Sequence, residues 1–557
     1  MTSTMSPPAA STTAVPALNP VLVEVIGSAL ASICEEMGEA LVKASYSPNI
    51  KERRDSTTAL FDAQGVTLAQ AEHIPIHFGS LMGVVASVLD RYPVETLRDG
   101  DVFIGNDPHT GGGTHLPDIV LLSPIFVEGR LRAWATNLAH HADYAERTHE
   151  HIFQEGLRIP AVRLFSAGEM DEDIWHLILT NMQVPAERRA DLRAQMAANR
   201  LGIQRYREIC ARYGADVVDQ AGRDLMDYTE RKIRLGIAGI PDGTYEFEDL
   251  FDSDEFDGHL PISLTLTIRG DEMFLDFQAP PQIRAGINNV WTALLATVYY
   301  AVKAVIGMEV FANAGLYRPI HVTAPRASVL NCVVPAAVYG RIQLGQRVVD
   351  LILGALAQAV PDKVPAASYS GCPTMCFSGV DPRTGEYYIY IESIGGGHGA
   401  GAEVDGMDGA QAHLTNTSNL PVESLEAEYP LTVVRYGLVD DSSGHGRHRG
   451  GMGIWREIRA EHDECRCETS VTRVTTSPWG LFGGTDGQPL RVQKGDGTIV
   501  TDTWTTLATG ESLACIIAGG GGYGDPRERD RAAVAADVRE GRISAETARE
   551  AYGPFDV

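Results

Sequence analysis

The chain is short of positive charge. Lys and Arg number 46 against 73 Asp and Glu in 557 residues, a formal net charge of −27 with histidine neutral. Such a surface repels phosphate backbones and anionic bilayers, which argues against a nucleic-acid or membrane-surface binder. Long apolar runs are missing too. The stretch from Val21 to Ile33 is broken by Glu24 and followed by Glu35 and Glu36, too short and too charged to span a bilayer. The opening "MTSTMSPPAASTTAVPALNP" holds neither a basic residue nor an apolar core, so it reads as a disordered leader over residues 1–19 and not as a signal peptide. Cysteine is sparse, 8 in all, and without an export signal reduced thiols in a cytoplasmic protein are the expectation. Neither the Cys372/Cys376 nor the Cys465/Cys467 pair has the spacing of a zinc knuckle.

Nucleotide-binding signatures are absent as well. Three glycine-rich runs invite the question, "GNDPHTGGGTHLPDIV", "SIGGGHGAGAEVDG" and "CIIAGGGGYGDP". None ends in the Gly-Lys-Ser/Thr of a phosphate loop. The last contains G-x-G-x-x-G at Gly519 to Gly524, but Asp-Pro follows where a helix would have to start, and no second strand with a ribose-binding acid remains. No nucleophile elbow, kinase signature or H-E-x-x-H is present. "DLFDSDEFDGH" imitates a calcium loop but carries Phe256 at the fifth position, where an oxygen ligand is required.

What is there has the texture of a multi-lobed α+β protein. Apolar positions recur with helical spacing over residues 20–45, and "STTALFDAQGVTLAQ" reads as strand, turn and strand. "IHFGSLMGVVASVLDRY" reads as helix, and Glu172 to about Ile237 as long helices. Past Pro241 the alternation of "ISLTLTIRGDEMFLDF" predicts a hairpin. "NVWTALLATVYYAVKAVIG" and "RVVDLILGALAQAV" predict buried helices within strand-rich surroundings. The expected organisation is an N-terminal α/β lobe over 20–240, a β-rich lobe with buried helices over 241–515, and a glycine loop with a helical extension over 516–557.

Half of the 16 histidines fall between His73 and His151. "DVFIGNDP" runs as a strand into a turn, Gly111 to Gly113 allow a tight bend, and "LPDIVLLSPIF" resumes a strand. His115 and Asp118 then sit at a loop-to-strand junction. "LRAWATNLAHH" brings His140 back over the same loop if the two strands pair. Two His and one Asp with open positions are the ligand set of a catalytic divalent-metal site. The other reading is ordinary turn chemistry, with histidines capping strands and bonding carbonyls. His109, His141 and Asp143, near in sequence, are candidates for orienting a ligand or moving a proton, with turn chemistry again the alternative. Asp55, in "KERRDSTTALFD", is either a surface charge or a further ligand. His149 and His151 flank Glu150 and read as a solvated segment.

"ERRDSTTALFDAQGVTLAQAEHIPIHFGSL", "GDVFIGNDPHTGGGTHLPDIVL", "GGGHGAGAEVDGMDGAQAHLTNTSNLPVESLE" and "AGGGGYGDPRERD" resemble the hydantoinase B/oxoprolinase family, over nearly the whole chain. The resemblance implies a subunit of an ATP-dependent enzyme that opens cyclic amides (hydantoins, lactams, 5-oxoproline). A related branch, carboxylating ketones such as acetone and acetophenone, is the alternative. It implies an actin-like A-type partner that binds ATP and Mg, in a complex of two copies of each. It implies one divalent metal, Zn or Mn, on His115, Asp118 and His140, with Asp55 as a fourth ligand. His141, Asp143 and His109 would then serve catalysis around it.

Overall fold

The computed structural model describes residues 18–143, 145–307 and 309–554, so the expected leader lies, except for Leu18 and Asn19, outside the described residues. The first helix begins where its cap dictates. α1 (Pro20–Ala44) has Pro in its first turn, and the Asn19 side chain accepts from the Val21 N–H. It is followed by α2 (Pro48–Lys51) and by strands β1 (Ser56–Asp62) and β2 (Thr67–Gln70). The segment read as one helix over "IHFGSLMGVVASVLDRY" is α-helical only in α3 (Val84–Leu89). Gly79 and Gly83 adopt φ of 94° and 85°, which no continuous right-handed helix accommodates.

Then come β3 (Val102–Gly105), β4 (Asp118–Val127), β5 (Arg130–His140), β6 (Val162–Ser166) and β7 (Glu169–Met170). These seven strands form one sheet in the order β2-β1-β5-β4-β3-β6-β7, antiparallel throughout. Helices α4 (Glu172–Thr180), α5 (Pro185–Tyr213) and α6 (Ala215–Ala238) follow as the sequence texture predicts. Side-chain alternation along the strands decides which face each residue serves. Ala133, Ala135 and Ala139 of β5 and Leu60 of β1 pack with α1, α5 and α6. Trp134 and Leu138, with Val120 and Leu122 of β4, face the α3 segment.

The next body holds the predicted hairpin. β8 (Gly243–Ser253), β9 (Phe256–Arg269), β10 (Glu272–Gln278) and β11 (Ile320–Thr323) form a sheet in the order β11-β10-β9-β8. Against it lie α7 (Trp291–Ile306) and α8 (Arg341–Ala357). All 17 residues of α8 are buried, and its two glutamines are held by backbone partners. Gln343 bonds the Cys372 carbonyl and N–H, and Gln346 bonds the Ala412 carbonyl. Two further four-stranded sheets, one running from Tyr387–Ser393 to Trp504–Leu507 and one from Leu431–Leu438 to Arg491–Lys494, share a single core. Two short helices, Arg531–Arg539 and Ala545–Tyr552, follow.

The glycine runs of the second half pack against one another. A Cβ on Gly520 would lie 1.9 Å from the His398 carbonyl oxygen, and the Gly520 N–H donates to Gly451. Only glycine permits backbones to meet so closely, which accounts for the runs without any phosphate ligand. Among the described residues no helix is long and apolar enough to cross a membrane.

Candidate metal centre

Strand register assembles the site. Asp118 is the first residue of β4 and pairs directly with His140, the last of β5. Ser56 of β1 pairs with Ala139, and the His140 N–H donates to the Asp55 carbonyl, 3.0 Å away. Asp55, His140 and Asp118 therefore form a row across three neighbouring strands, in phase with the residues facing α3. Arg54, at φ 57°, holds a left-handed conformation at the entry to β1 and directs its own guanidinium outward to Glu39. His115 arrives through the glycine turn. Gly113 has φ 84°, and a Cβ there would come within 2.6 Å of the Asp118 Cβ, so the loop can close over Asp118 only with glycine.

His115, Asp118 and His140 each present a ligand atom within 4.8 Å of the other two. The His115 and His140 rings lie 4.8 Å apart. Two details are compatible with a cation held at this point. His115 Nδ1 is 3.0 Å from the Tyr339 carbonyl, which can only accept, so Nδ1 carries the hydrogen and Nε2 faces inward. Asp118 Oδ2 accepts from the Thr114 N–H and hydroxyl and pairs with Arg341, leaving Oδ1 inward as well. His115 Nε2 and Asp118 Oδ1 lie 3.2 Å apart, buried and without a hydrogen-bond partner among the described residues. Two such atoms need a positive charge between them, a proton or a metal ion.

The protonation states suit a metal. Burial alone would raise the Asp118 pKa, but His115 and Arg341 outweigh it and hold the carboxyl well below the ordinary value. Burial, then the nearby charges of His115, Arg341 and Arg53, pulls His140 well below the usual imidazole value, which keeps it neutral and able to ligate.

His115 and His140 line a pocket between the seven-stranded sheet, α8 and the strand Tyr387–Ser393. Four consecutive residues at the start of α8, Gly340 to Gln343, line it, as do Arg53 and Arg341. Arg53 is fixed by Asn49, the Ile391 carbonyl and Ser393. Isoleucines 74, 76, 342 and 391 supply an apolar wall.

Asp55 lines the cavity but is not one of the three converging residues; its carboxylate instead reaches His77, 3.8 Å away. His77 is a site residue that the sequence reading missed. Its Nε2 is 4.0 Å from Asp118 Oδ1, it is fully buried, and burial lowers its pKa. The signal was a lone histidine in "PIHFG", between two glycine-broken apolar segments. Arg341 carried no sequence signal, because the pairing of α8 with the β4 loop spans more than 200 residues.

The expected catalytic trio does not gather here. His141 follows His140 and so projects to the opposite face, where it bonds Gln195 of α5 at 3.0 Å. Burial, with the Arg188 charge, pulls its pKa down to about 4. Asp143 accepts from the Gln183 N–H at 2.5 Å and pairs with Arg147. His109 caps the Ala336 carbonyl at 3.3 Å. None of the three lines the cavity. The solvated reading of His149 is also corrected: the residue is buried, stacked on Tyr339 and paired with Glu468 and Glu155. Sequence neighbours such as Glu150 gave no sign of partners 319 residues away.

The sequence profile of the hydantoinase B/oxoprolinase family matches residues 19–526, and the chain belongs to that family. The caprolactamase subunit beta of Pseudomonas jessenii is 32% identical over 96% of each chain. The crystal structure of the ATP-dependent caprolactamase from the same organism superposes with a TM-score of 0.89 at 30% identity, covering 97% of both chains. 5-Oxoprolinase 1 of Arabidopsis thaliana is 32% identical over 88% of this chain, which corresponds to only 41% of that longer protein.

Proposed function

We propose that the chain is the metal-bearing B-type subunit of an ATP-dependent cyclic amide hydrolase, acting on a substrate phosphorylated by a separate A-type ATPase subunit in the cytoplasm. The carrying observation is the convergence of His115, Asp118 and His140 at a cavity that also presents Arg53, Arg341 and the first turn of α8. The likeness to the caprolactamase beta subunit supports the cyclic amide. The match to less than half of a 5-oxoprolinase supports a division of labour, with ATP and Mg handled by the remainder, here a partner. A two-plus-two assembly is the expected form.

The chemistry follows from the weakness of an amide as an electrophile. Phosphorylating its oxygen converts it to an imidate-like ester. Arg341, at the positive end of the α8 dipole, suits the phosphoryl group, since a helix N-terminus and a guanidinium both favour an anion. The isoleucine wall suits an aliphatic ring. A divalent ion, Zn or Mn, held by His115, Asp118 and His140 supplies Lewis acidity toward water. Water adds to the activated carbon while His77, beside Asp55, takes its proton. Cleavage of the C–N bond, with the nitrogen protonated, then opens the ring. The remaining acyl phosphate is hydrolysed to carboxylate and phosphate.

The test is product analysis on the complex with its A-type partner. Lactams, hydantoins and 5-oxoproline are offered with ATP, and acetone and acetophenone with ATP and bicarbonate. Ring-opened product coupled to ATP use is expected. Carboxylated ketone with no ring opening would replace this reading with that of a ketone carboxylase subunit.

A further inference from the structure

A second group of buried charges lies behind the metal centre, on the far side of residue 339. His149 Nε2 is 3.0 Å from Glu468 Oε1, and its Nδ1 is 3.7 Å from Glu155 Oε1. Its ring lies flat on the Tyr339 ring, 4.0 Å between centroids at 9°. The same Glu155 oxygen accepts from the backbone N–H groups of Val338 and Tyr339, at 2.8 and 2.7 Å. The Tyr339 carbonyl in turn accepts from His115 Nδ1. Residue 339 is thus gripped by its ring and by its N–H, and its carbonyl orients a metal-site histidine.

We propose that His149, with Glu155 and Glu468, is a positioning device that fixes Tyr339 and through it aims His115 at the metal. The inference rests on the metal reading of His115, Asp118 and His140. Placing one histidine and two glutamates in a dry interior is costly before pairing, and an apolar filling would be cheaper. What the charged group adds is a defined geometry: hydrogen bonds and ion pairs specify position where apolar contacts allow sliding. The partners also hold the imidazole charged. Burial alone would lower its pKa, but Glu155 and Glu468 raise it to about 10. Of the four residues only Tyr339 lines the cavity, so His149 acts through Tyr339 and not on substrate.

The experiment uses the full chain, stripped of metal and titrated with Co(II), reading affinity and the visible spectrum. His149→Ala and Tyr339→Ala are each expected to weaken cobalt binding by about 10- to 100-fold, the usual cost of losing an outer-shell partner, and to alter the spectrum. The double variant is expected to bind no more weakly than the weaker single one, because both act along one route. Glu468→Gln, which keeps the shape and removes one charge, gives a milder loss and stands in if His149→Ala does not fold. Binding and spectrum unchanged in His149→Ala, or in Glu468→Gln where that is the variant used, while His140→Ala loses the metal, would overturn the device and leave the metal site intact. Additive losses in the double variant would overturn the route through Tyr339. Unchanged binding in His140→Ala would overturn the site itself and this inference with it.

Discussion

His140 and His141 are consecutive in the chain, yet they serve opposite faces of the seven-stranded sheet. His140 stands beside Asp118 and His115, whereas His141 is buried against α5 and bonded to Gln195. The split follows from the two-residue period of a strand. It assigns the two histidines different work.

His141→Ala should therefore act on stability and not on chemistry. It removes a buried ring and leaves the Gln195 oxygen without its partner, which costs about 1–3 kcal/mol for the orphaned group alone. Urea unfolding should register the loss, while turnover per folded complex stays within a few-fold of wild type. A variant of normal stability with turnover reduced by orders of magnitude would return His141 to the catalytic machinery.

The purified chain alone should not bind ATP. Its glycine runs are occupied by backbone, as the approach of Gly520 to His398 shows, so they offer no open row of N–H groups to a phosphate. Calorimetry with ATP and Mg in the absence of a partner should give no heat of binding. A micromolar dissociation constant would contradict this.

The His149 cluster predicts a pH dependence of stability. Its folded pKa, raised to about 10 by Glu155 and Glu468 against burial, exceeds that of an unfolded histidine, near 6.5. The stabilisation is fully present below about pH 6.5 and is lost as pH rises through about 10. Glu255 also faces this cluster, and burial raises its pKa to about 7, so the stability it costs is lost between the ordinary carboxylate range and about pH 7, below the histidine's window. Thermal midpoints of wild type should fall from pH 7 to 10, and His149→Phe should flatten the upper part of that fall. Parallel curves for the two proteins would refute the assignment.

The elements were legible in the sequence wherever periodicity was long. α1, the β9–β10 hairpin and the buried α7 and α8 all lie where apolar spacing put them. The pairing of β4 with β5 was legible as a conditional: if adjacent, His140 returns to Asp118, and it does. Phase was the information not used. Counting two residues per alternation from Trp134 and Leu138 would have set His140 and His141 on different faces. Arg341 and Tyr339 were not legible, because their roles come from contacts between segments far apart in the chain, and the lone histidine of "PIHFG" was a weak signal for His77.

The central claim is that His115, Asp118 and His140 hold one divalent metal ion. Elemental analysis of purified wild type, His140→Ala and His141→Ala, each shown folded by its thermal midpoint, tests it most directly. The account predicts one equivalent of Zn or Mn in wild type and in His141→Ala, and a small fraction of that in His140→Ala. Equal metal content in His140→Ala and wild type would contradict it.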